Sequence, residues 1–496
     1  MLKNIVKIKK ISNRSIHISK LFNTKFYTTT DEAIYDIKDN SKLLLGGFGT
    51  CGVPEKLIEA LKRKGVKDLT CVSNSAGTEN YGLGILMQSN QIKRMIASYV
   101  GANKLFQSRY LAGDLEIEFT PQGTLAEKVR AGAAGIPAFY TPTGYGTLVS
   151  DGGSPIRYKD NGKDVEIKSK PKEIREFNGK KFILEESITG DFSLIKAWKA
   201  DKLGNVIFKN SATNFNVPMA KASKCTIVEV EEIVEIGELE PNNIHLPSIY
   251  TDRVVLCKDY KKPIERLMYS DDVNFDASKK DSRSIIASRA ALEFKDDMYV
   301  NLGIGIPTLI PNYIPKTINI HLHSENGILG IGPFPKRGNA DPDLVNATKE
   351  SITLLPGASI FPSDESFAMI RGSHIDLFVL GAFQVSKYGD ISNWLIPGKL
   401  VNGIGGAMDI VSAPNANVIV TMEHVDKYGK PKIVEKCSLP LTGKRVVSKI
   451  ITELAVFDVC KNSGLILIEY KNSIEEVKNK TACDFIISET VKPMVE

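Results

Sequence analysis

Residues 43–54 have the sequence LLLGGFGTCGVP, and residues 298–307 have the related sequence MYVNLGIGIP. Each begins with an apolar run, continues through a glycine-rich loop and ends in a proline. Because proline favours the first turn of a helix, each stretch predicts a strand, a tight loop and then a helix, at residues 55–61 and 308–313. The recurrence indicates that the chain contains two related halves.

Segments on either side of these loops also correspond between the halves. Alternating helices and strands indicate α/β domains, and buried apolar strands are typical of parallel sheets. The predicted fold class is therefore two sequence-related α/β domains with largely parallel sheets. The corresponding segments are the predicted helices at residues 31–38 and 284–294, the hairpin turns at 202–206 and 387–391, and the strands at 226–230 and 418–422.

The chain is predicted to divide into four parts. Residues 258–283 are rich in Lys, Asp and Ser and lack periodicity, so we interpret them as a linker. They separate an N-terminal domain at residues 29–257 from a C-terminal domain at residues 284–496, and residues 1–28 form a leader. Since related domains on one chain often share a site at their interface, we expect both to contribute functional groups.

The leader accounts for the positive charge of the protein. The net charge is +6, but residues 1–30 contain seven basic residues and no acidic residue. The rest of the chain is thus close to neutral, which argues against nucleic-acid binding. A basic leader with Ser, Thr, Asn and scattered apolar residues is typical of a mitochondrial presequence, with a disordered tail as the alternative.

Apolar runs in the sequence are far shorter than the roughly 18 residues of a membrane helix, so no membrane association is expected.

The cysteines and histidines give no indication of a disulfide framework or a metal site. The seven cysteines are widely spaced and form no C-x-x-C pair, which indicates free thiols in a reducing compartment. His321 and His323 would share one face of a strand. Without a third ligand nearby, we interpret them as ordinary strand residues.

The loop at residues 47–52, GFGTCG, matches the G-x-G-x-x-G pattern of dinucleotide-binding proteins. Pro54 closes this loop early, and the next strand ends in Ser73 and Asn74 where an acidic residue would bind a ribose. We therefore favour glycines that permit tight turns and close packing, with backbone N–H groups near a substrate.

Glu325 is the leading candidate for a reactive residue. It follows a predicted strand at residues 317–322 and precedes the Asn326-Gly327 turn. Ligands of open α/β sheets bind at the carboxyl ends of strands. From the residues alone, a carboxylate that braces the turn by accepting backbone N–H groups is an equally good interpretation.

Two stretches resemble the signatures of the family I coenzyme A transferases. Residues 39–54 resemble the first signature, and residues 322–330, LHSENGILG, resemble the second, which surrounds a nucleophilic glutamate. The resemblance extends over nearly the whole chain after the leader. It implies the coenzyme A transferase fold with a site between the domains, a homodimer, no cofactor, and a location in the mitochondrial matrix.

The resemblance also implies a reaction. CoA would move from succinyl-CoA to a 3-oxo acid such as acetoacetate through a glutamyl-CoA thioester at Glu325. The products would be succinate and acetoacetyl-CoA, as in ketone-body breakdown. Such covalent catalysis follows ping-pong kinetics.

Further site residues are implied by the same resemblance. Gln122 matches a side-chain donor near the thioester oxygen, and Gly406 matches a backbone N–H donor to the oxyanion. Ser75 departs from the family pattern, in which a second Asn is frequent, so one amide contact is expected to differ. The residues implied to line the substrate and CoA site are Asn74, Asn301, Lys349 and Gly405.

Each of these residues also has a purely structural interpretation. Gln122 would be a turn residue before a helix, and Gly406 would permit packing at a helix start. The two asparagines would cap loops after strands, and Lys349 would be a solvated surface lysine.

Three functional alternatives stay open. CoA exchange with another acid, such as acetate or propionate, would use the same chemistry. An NAD-linked oxidoreductase built on residues 47–52 would keep its activity after Glu325→Gln. A non-catalytic CoA-binding module would not need the turn at residues 324–327.

Overall fold

The computed structural model of the 496-residue chain describes residues 24–101, 103–159, 162–272, 281–397 and 400–495. Most of the predicted leader, residues 1–23, lies outside the described residues. Lys25–Tyr27, which the prediction assigns to the leader, form an edge strand that pairs with Arg253–Leu256. The folded body therefore extends back at least to this strand.

The first half of the chain alternates strands with helices. Its strands are β1 (Lys25–Tyr27), β2 (Lys42–Leu45), β3 (Leu69–Val72), β4 (Ile92–Ala97), β5 (Glu116–Phe119), β6 (Ala138–Thr141), β7 (Pro155–Lys159), β8 (Asp164–Lys168), β9 (Ile174–Phe177), β10 (Lys180–Glu186), β11 (Gly190–Lys196), β12 (Lys199–Asp201), β13 (Val206–Ile207), β14 (Ser223–Val230), β15 (Glu232–Val234) and β16 (Arg253–Leu256). Its α-helices are α1 (Thr30–Ala33), α2 (Glu55–Lys64), α3 (Gly84–Gln88), α4 (Lys104–Ala112), α5 (Gln122–Ala133), α6 (Leu148–Asp151) and α7 (Asn216–Lys221).

Eight of these strands build one sheet in the order β1-β16-β14-β11-β2-β3-β4-β5. Every neighbouring pair in it is parallel. Leu43, Leu44 and Ile227 in its central strands have no exposed surface. Strands that are covered on both faces by helices need such apolar runs.

The second half has the same kind of alternation. Its strands are β17 (Met298–Leu302), β18 (Ile320–Ser324), β19 (Ile328–Ile331), β20 (Leu354–Ile360), β21 (Leu377–Leu380), β22 (Gln384–Ser386), β23 (Ile391–Ser392), β24 (Leu395–Ile396), β25 (Leu400–Val401), β26 (Val418–Thr421), β27 (Ile433–Val434), β28 (Lys449–Ile451), β29 (Ala455–Cys460), β30 (Gly464–Tyr470) and β31 (Ile486–Pro493). Its α-helices are α8 (Ser282–Ala291), α9 (Ser363–Arg371), α10 (Ala407–Ser412) and α11 (Ile474–Lys480).

The main sheet of this half has ten strands in the order β20-β19-β18-β17-β21-β26-β28-β29-β30-β31. Its centre, from β18 to β28, is parallel. Antiparallel pairs extend it on both sides of that centre. The predicted fold class of two α/β units with largely parallel sheets is confirmed.

The individual predictions differ from the structure mainly at helix ends. The helix at residues 31–38 is shorter than predicted and spans only Thr30–Ala33. Ile306–Tyr313 form a 3-10 helix, in which Pro311 lacks the N–H group that an α-helix would use. Both predicted hairpin turns are present, between β12 and β13 and between β22 and β23.

The two halves are joined along α5. This helix packs against α9 and α10 of the second half. Phe367 of α9 is completely buried, and Arg371 of the same helix pairs with Glu127 of α5 at 3.0 Å. Gln122, the first residue of α5, is consequently held at the boundary between the halves.

The predicted linker, residues 258–283, follows β16. We call its part at residues 258–272 the connecting segment; residues 273–280 lie outside the described residues. The bounds of the two domains stay a prediction. Across the described part of the chain, no helix combines the length and apolar character needed to cross a bilayer.

Candidate active site

Glu325 lies in the tight turn between β18 and β19. These strands are antiparallel, and Ser324 pairs with Ile328 across the turn. On its other side β18 is parallel to β17. Glu325 thus stands at the carboxyl end of a strand at the edge of the parallel centre of the sheet, where α/β proteins bind ligands.

A pocket of about 540 Å³ surrounds Glu325. Its walls come from both halves of the chain, as the sequence predicts. All seven predicted site residues line it, namely Asn74, Gln122, Asn301, Glu325, Lys349, Gly405 and Gly406.

Gln122 binds Glu325 directly across the boundary between the halves. Its amide Nε2 donates to Glu325 Oε1 at 3.0 Å. Its Oε1 accepts from Asn74 Nδ2 at 2.7 Å and from Ser98 Oγ at 3.1 Å. These two donors fix the amide so that its N–H side faces the carboxylate. Asn74 and Gln122, at 1% and 2% exposure, are buried parts of one network.

Ser98 is a member of this network that the sequence did not predict. It follows β4, and its backbone carbonyl accepts from Gly405 N–H at 3.0 Å. Gly405 in turn accepts from Gln122 N–H at 2.9 Å. One feature could have suggested Ser98, since it follows β4, a strand that neighbours β3 in the sheet. Nothing in the sequence indicates, however, that Ser98 contacts Gln122.

Gly406 allows the backbone of the second half to approach the carboxylate. A Cβ atom at this position would stand 1.9 Å from Glu325 Oε2. Gly406 is also the residue before α10, as its structural interpretation as a helix start predicts. The absence of a side chain at 406 therefore determines where Glu325 can lie.

Lys349 is buried, so its interpretation as a solvated lysine is wrong. It has 7% exposure. Its ammonium Nζ lies 4.1 Å from the centre of the Tyr99 ring and 5.7 Å from that of Phe48. A cation over aromatic faces is stabilised by their quadrupoles, which helps to keep a buried lysine charged.

Asn301 lies on β17, lines the pocket and binds His323. Its Nδ2 donates to His323 Nδ1 at 3.1 Å, and His323 Nε2 lies 3.0 Å from Ser366 Oγ. Burial lowers the pKa of His323 to about 4, so the ring is neutral. Because Nδ1 accepts from the amide, the ring proton is on Nε2 and is donated to Ser366. His321 instead contacts Asp297, and the described residues contain no cluster of three metal-ligating side chains.

Burial raises the pKa of Glu325 to about 7 from its ordinary value of 4.5. The positive charge of Lys349 and the Gln122 hydrogen bond lower this pKa, whereas the negative charge of Asp409 raises it. A carboxyl group with this pKa is substantially ionised at neutral pH. It is then able to act as a nucleophile or as a general base.

Asp409 is a second residue that the sequence did not predict. It is fully buried on α10, and burial raises its pKa to about 6. Its carboxylate accepts from the Gly123 N–H at 2.8 Å and from Thr124 Oγ1 at 3.2 Å. Asp409 thus connects the start of α5, and with it Gln122, to α10, the helix that follows Gly406.

The glycine loop at residues 47–52 makes a tight turn, in which Phe48 N–H donates to the carbonyl of Cys51. Phe48 lines the Glu325 pocket. Ser75, the departure from the family pattern, accepts from Gly77 N–H at 3.4 Å and so braces its own turn. All seven cysteines are free thiols, as predicted.

Comparison with known proteins identifies the family. The family model of coenzyme A transferase matches residues 27–256 and 283–475. The mitochondrial succinyl-CoA:3-ketoacid coenzyme A transferase 2 of Homo sapiens is 55% identical over 484 residues, 97% of this chain and 93% of that protein. One of the subunits of the Helicobacter pylori J99 succinyl-CoA:3-ketoacid coenzyme A transferase is 50% identical over 242 residues, 49% of this chain and 96% of that protein. An acyl-CoA transferase crystal structure from Escherichia coli O157:H7 has the same fold, with a TM-score of 0.76 at 21% identity over 94% of both chains. The chain belongs to the coenzyme A transferase family.

Proposed function

We propose that this protein moves CoA from succinyl-CoA to a 3-oxo acid, with acetoacetate as the acceptor and Glu325 as the covalent nucleophile. The observation that carries the proposal is the Glu325 carboxylate, held by Gln122 at 3.0 Å in a pocket that both halves form. The substrate pair is supported by the names of the relatives that match nearly the whole chain.

A carboxylate suits this exchange because the enzyme must form an acyl link as energetic as a thioester. A serine ester would be too stable to return the acyl energy to the second acid. Glu325 instead attacks the carbonyl carbon of succinyl-CoA, the C–S bond breaks, and a mixed anhydride and CoA thiolate form. The thiolate attacks the glutamyl carbonyl, succinate leaves, and a glutamyl-CoA thioester remains. The 3-oxo acid then reverses these steps and leaves as its CoA thioester.

The neighbouring residues have separate roles in this scheme. Each attack produces an oxyanion, which needs hydrogen-bond donors in a dry site. We assign that role to the Gln122 amide, which already faces the carboxylate, and to the Gly406 backbone N–H. Lys349 supplies a positive charge for the substrate carboxylate or CoA. Asn74 fixes Gln122, and Asn301 lines the substrate side of the pocket.

We also infer the cofactor requirement, the location, the oligomeric state and the domain division of the protein. The scheme needs no metal or cofactor, since CoA thioesters are the substrates. A location in the mitochondrial matrix is supported by the basic leader and by relatives that are named mitochondrial. The homodimer is supported by the family resemblance. The division into domains at residues 29–257 and 284–496, with a linker between them, is supported by the two segments that match the family.

The covalent intermediate provides the direct test. Incubation with succinyl-CoA and no acceptor is expected to release succinate and to leave CoA bound to Glu325 as a thioester. Mild borohydride reduces that thioester, and peptide mass analysis then maps the modified residue. An adduct at another residue, or none, would contradict the mechanism. Acetoacetate, acetate and propionate compared as acceptors would establish the acid.

The rate of exchange is expected to depend on pH through Glu325. Only the ionised carboxylate attacks, so kcat/KM for succinyl-CoA should fall below a midpoint near pH 7, the pKa of Glu325 in the free enzyme. Asp409→Asn removes a charge that raises this pKa, so the midpoint should move to lower pH. Lys349→Met removes a charge that lowers it, so the midpoint should move to higher pH. Equal midpoints in the three proteins would contradict this assignment.

A further inference from the structure

The connecting segment binds to both halves of the chain. The backbone N–H groups of Lys261 and Lys262 donate to the buried carboxylate of Glu55 in the first half, at 2.8 and 3.3 Å. The Lys262 ammonium contacts Glu231 of the first half and Asp343 of the second, the latter at 2.6 Å. A segment interpreted from composition as a linker is therefore part of the packed structure at these residues.

Further along, the connecting segment pairs with the loop that carries Lys349. Arg266 N–H donates to the carbonyl of Lys349 at 3.1 Å, and Ser351 N–H donates to the carbonyl of Arg266 at 3.3 Å. Arg266 also forms an ion pair with Glu350 at 3.1 Å. Met268 N–H donates to Ser351 Oγ at 2.9 Å. These contacts clamp the backbone from the buried lysine to Ser351.

The clamp holds Lys349 in an unfavourable backbone conformation. Its φ angle is +62°, in the left-handed region that a residue with a Cβ atom rarely adopts. Such a conformation persists only when the surrounding structure imposes it, and it is frequent at functional sites. Here Lys349 N–H donates to the Asn346 carbonyl at 2.9 Å, and its own carbonyl is held by Arg266. This backbone directs the side chain to the Tyr99 ring.

Glu265, next to the clamp, lies against the same surface as the Lys349 side chain. Both pack on Gly49, where a Cβ atom would stand 2.8 Å from Lys349 Cγ and 3.2 Å from Glu265 Oε2. The charged groups that act on Lys349 come from two places, the connecting segment and the turn that carries Glu325. Burial lowers the pKa of Lys349, Glu265 and then Glu325 raise it, and Arg266 lowers it.

We propose that Glu265 is a positioning residue, which holds the Lys349 ammonium charged and in place beside Glu325; this inference rests on the proposed function of that site. Glu265 gives the lysine a nearby negative charge that stays when Glu325 becomes an uncharged acyl group. In the glutamyl-CoA intermediate the carboxylate charge of Glu325 is gone. Without Glu265 the buried ammonium would then be repelled by Arg266, with the Tyr99 and Phe48 rings left to stabilise its charge.

The test measures the ionisation of Lys349 directly. Competitive labelling of the protein with acetic anhydride over a range of pH, followed by peptide mass analysis, reports the pH at which the Lys349 amine becomes reactive. Glu265→Gln is expected to move that midpoint to lower pH. It should also lower kcat/KM for succinyl-CoA by roughly tenfold on the alkaline side of the profile, because losing a nearby opposite charge favours the neutral amine.

Two variants distinguish the charge of Glu265 from a structural effect. Glu265→Asp keeps the charge and should return the labelling midpoint towards that of the parent protein. Asp259→Asn removes an exposed carboxylate of the same segment and should leave the midpoint unchanged. An unchanged midpoint in Glu265→Gln would overturn the inference, even if the parent protein forms the Glu325 adduct. Failure of the parent protein to form that adduct would instead count against the proposed function.

Discussion

Glu325→Gln is expected to reduce the rate of CoA exchange by a factor on the order of 10⁵ to 10⁶, the loss seen when a covalent nucleophile is removed. Glutamine keeps the shape of the side chain, and its amide can still contact Gln122. It cannot form a mixed anhydride, because an amide is a poor nucleophile at carbon. The measurement is the initial rate of acetoacetyl-CoA formation from succinyl-CoA and acetoacetate. Glu365→Gln, an exposed carboxylate on α9, is the control and should keep its rate. If the exchange rate of Glu325→Gln were within tenfold of that of the parent protein, another residue would have to be the nucleophile.

The same variant should remain folded, and the difference between its stability and that of the parent protein should depend on pH in a defined direction. Glu325 has an ordinary pKa of 4.5 when unfolded and about 7 in the pocket. The folded state is therefore favoured below pH 4.5, and that stability is lost as the pH rises through 7. Glutamine has no such dependence. At pH 8 the variant should be the more stable protein, by at most about 3 kcal/mol, and thermal unfolding followed at several pH values measures the difference.

Gly406→Ala is expected to lower kcat by about 10²-fold, which is the cost of moving a reacting group by roughly 1 Å. The added methyl group would lie 1.9 Å from Glu325 Oε2 and 3.2 Å from the Phe367 ring. Since the ring is buried between the halves, the carboxylate is the group that must move. That displacement would lengthen its hydrogen bond to Gln122. Steady-state kinetics with succinyl-CoA and acetoacetate measures the effect.

Gly405→Ala is the matched comparison for this contact. Gly405 has a positive φ of 57°, so alanine there is strained, but its Cβ atom would meet no atom within 4 Å. The strain costs roughly 1–2 kcal/mol of stability, whereas Glu325 keeps its place. The 405 variant should thus lose more stability and less activity than the 406 variant. The reverse order would contradict the role assigned to Gly406.

The sequence was most informative where local rules are strong. The apolar runs at residues 43–45 and 298–300 predicted strands, and the repeated loop after each predicted two related α/β units. Glu325 could be predicted as a candidate because it combines a strand end with a turn. Its role as nucleophile came from the family resemblance, since the residues alone also allowed a carboxylate that braces the turn.

Other parts of the site could not be predicted because they depend on contacts between distant residues. Ser98 and Asp409 each act on Gln122 or its helix, at separations that no local pattern reveals. Lys349 has an ordinary polar sequence around it, and only the tertiary structure shows that it is buried. Residues 258–272 have the composition of a linker, yet Lys262 binds both halves and Arg266 binds the second, through pairs that only the fold brings together.

The hydrogen bond from Gln122 to Glu325 joins residues 203 positions apart, and it crosses the seam where α5 meets the second half. Its length therefore depends on the position of the two main sheets relative to one another. Heat or denaturant that moves the two sheets slightly apart would abolish CoA exchange while each sheet is still folded. Catalytic activity would then be the earliest property lost as the molecule comes apart.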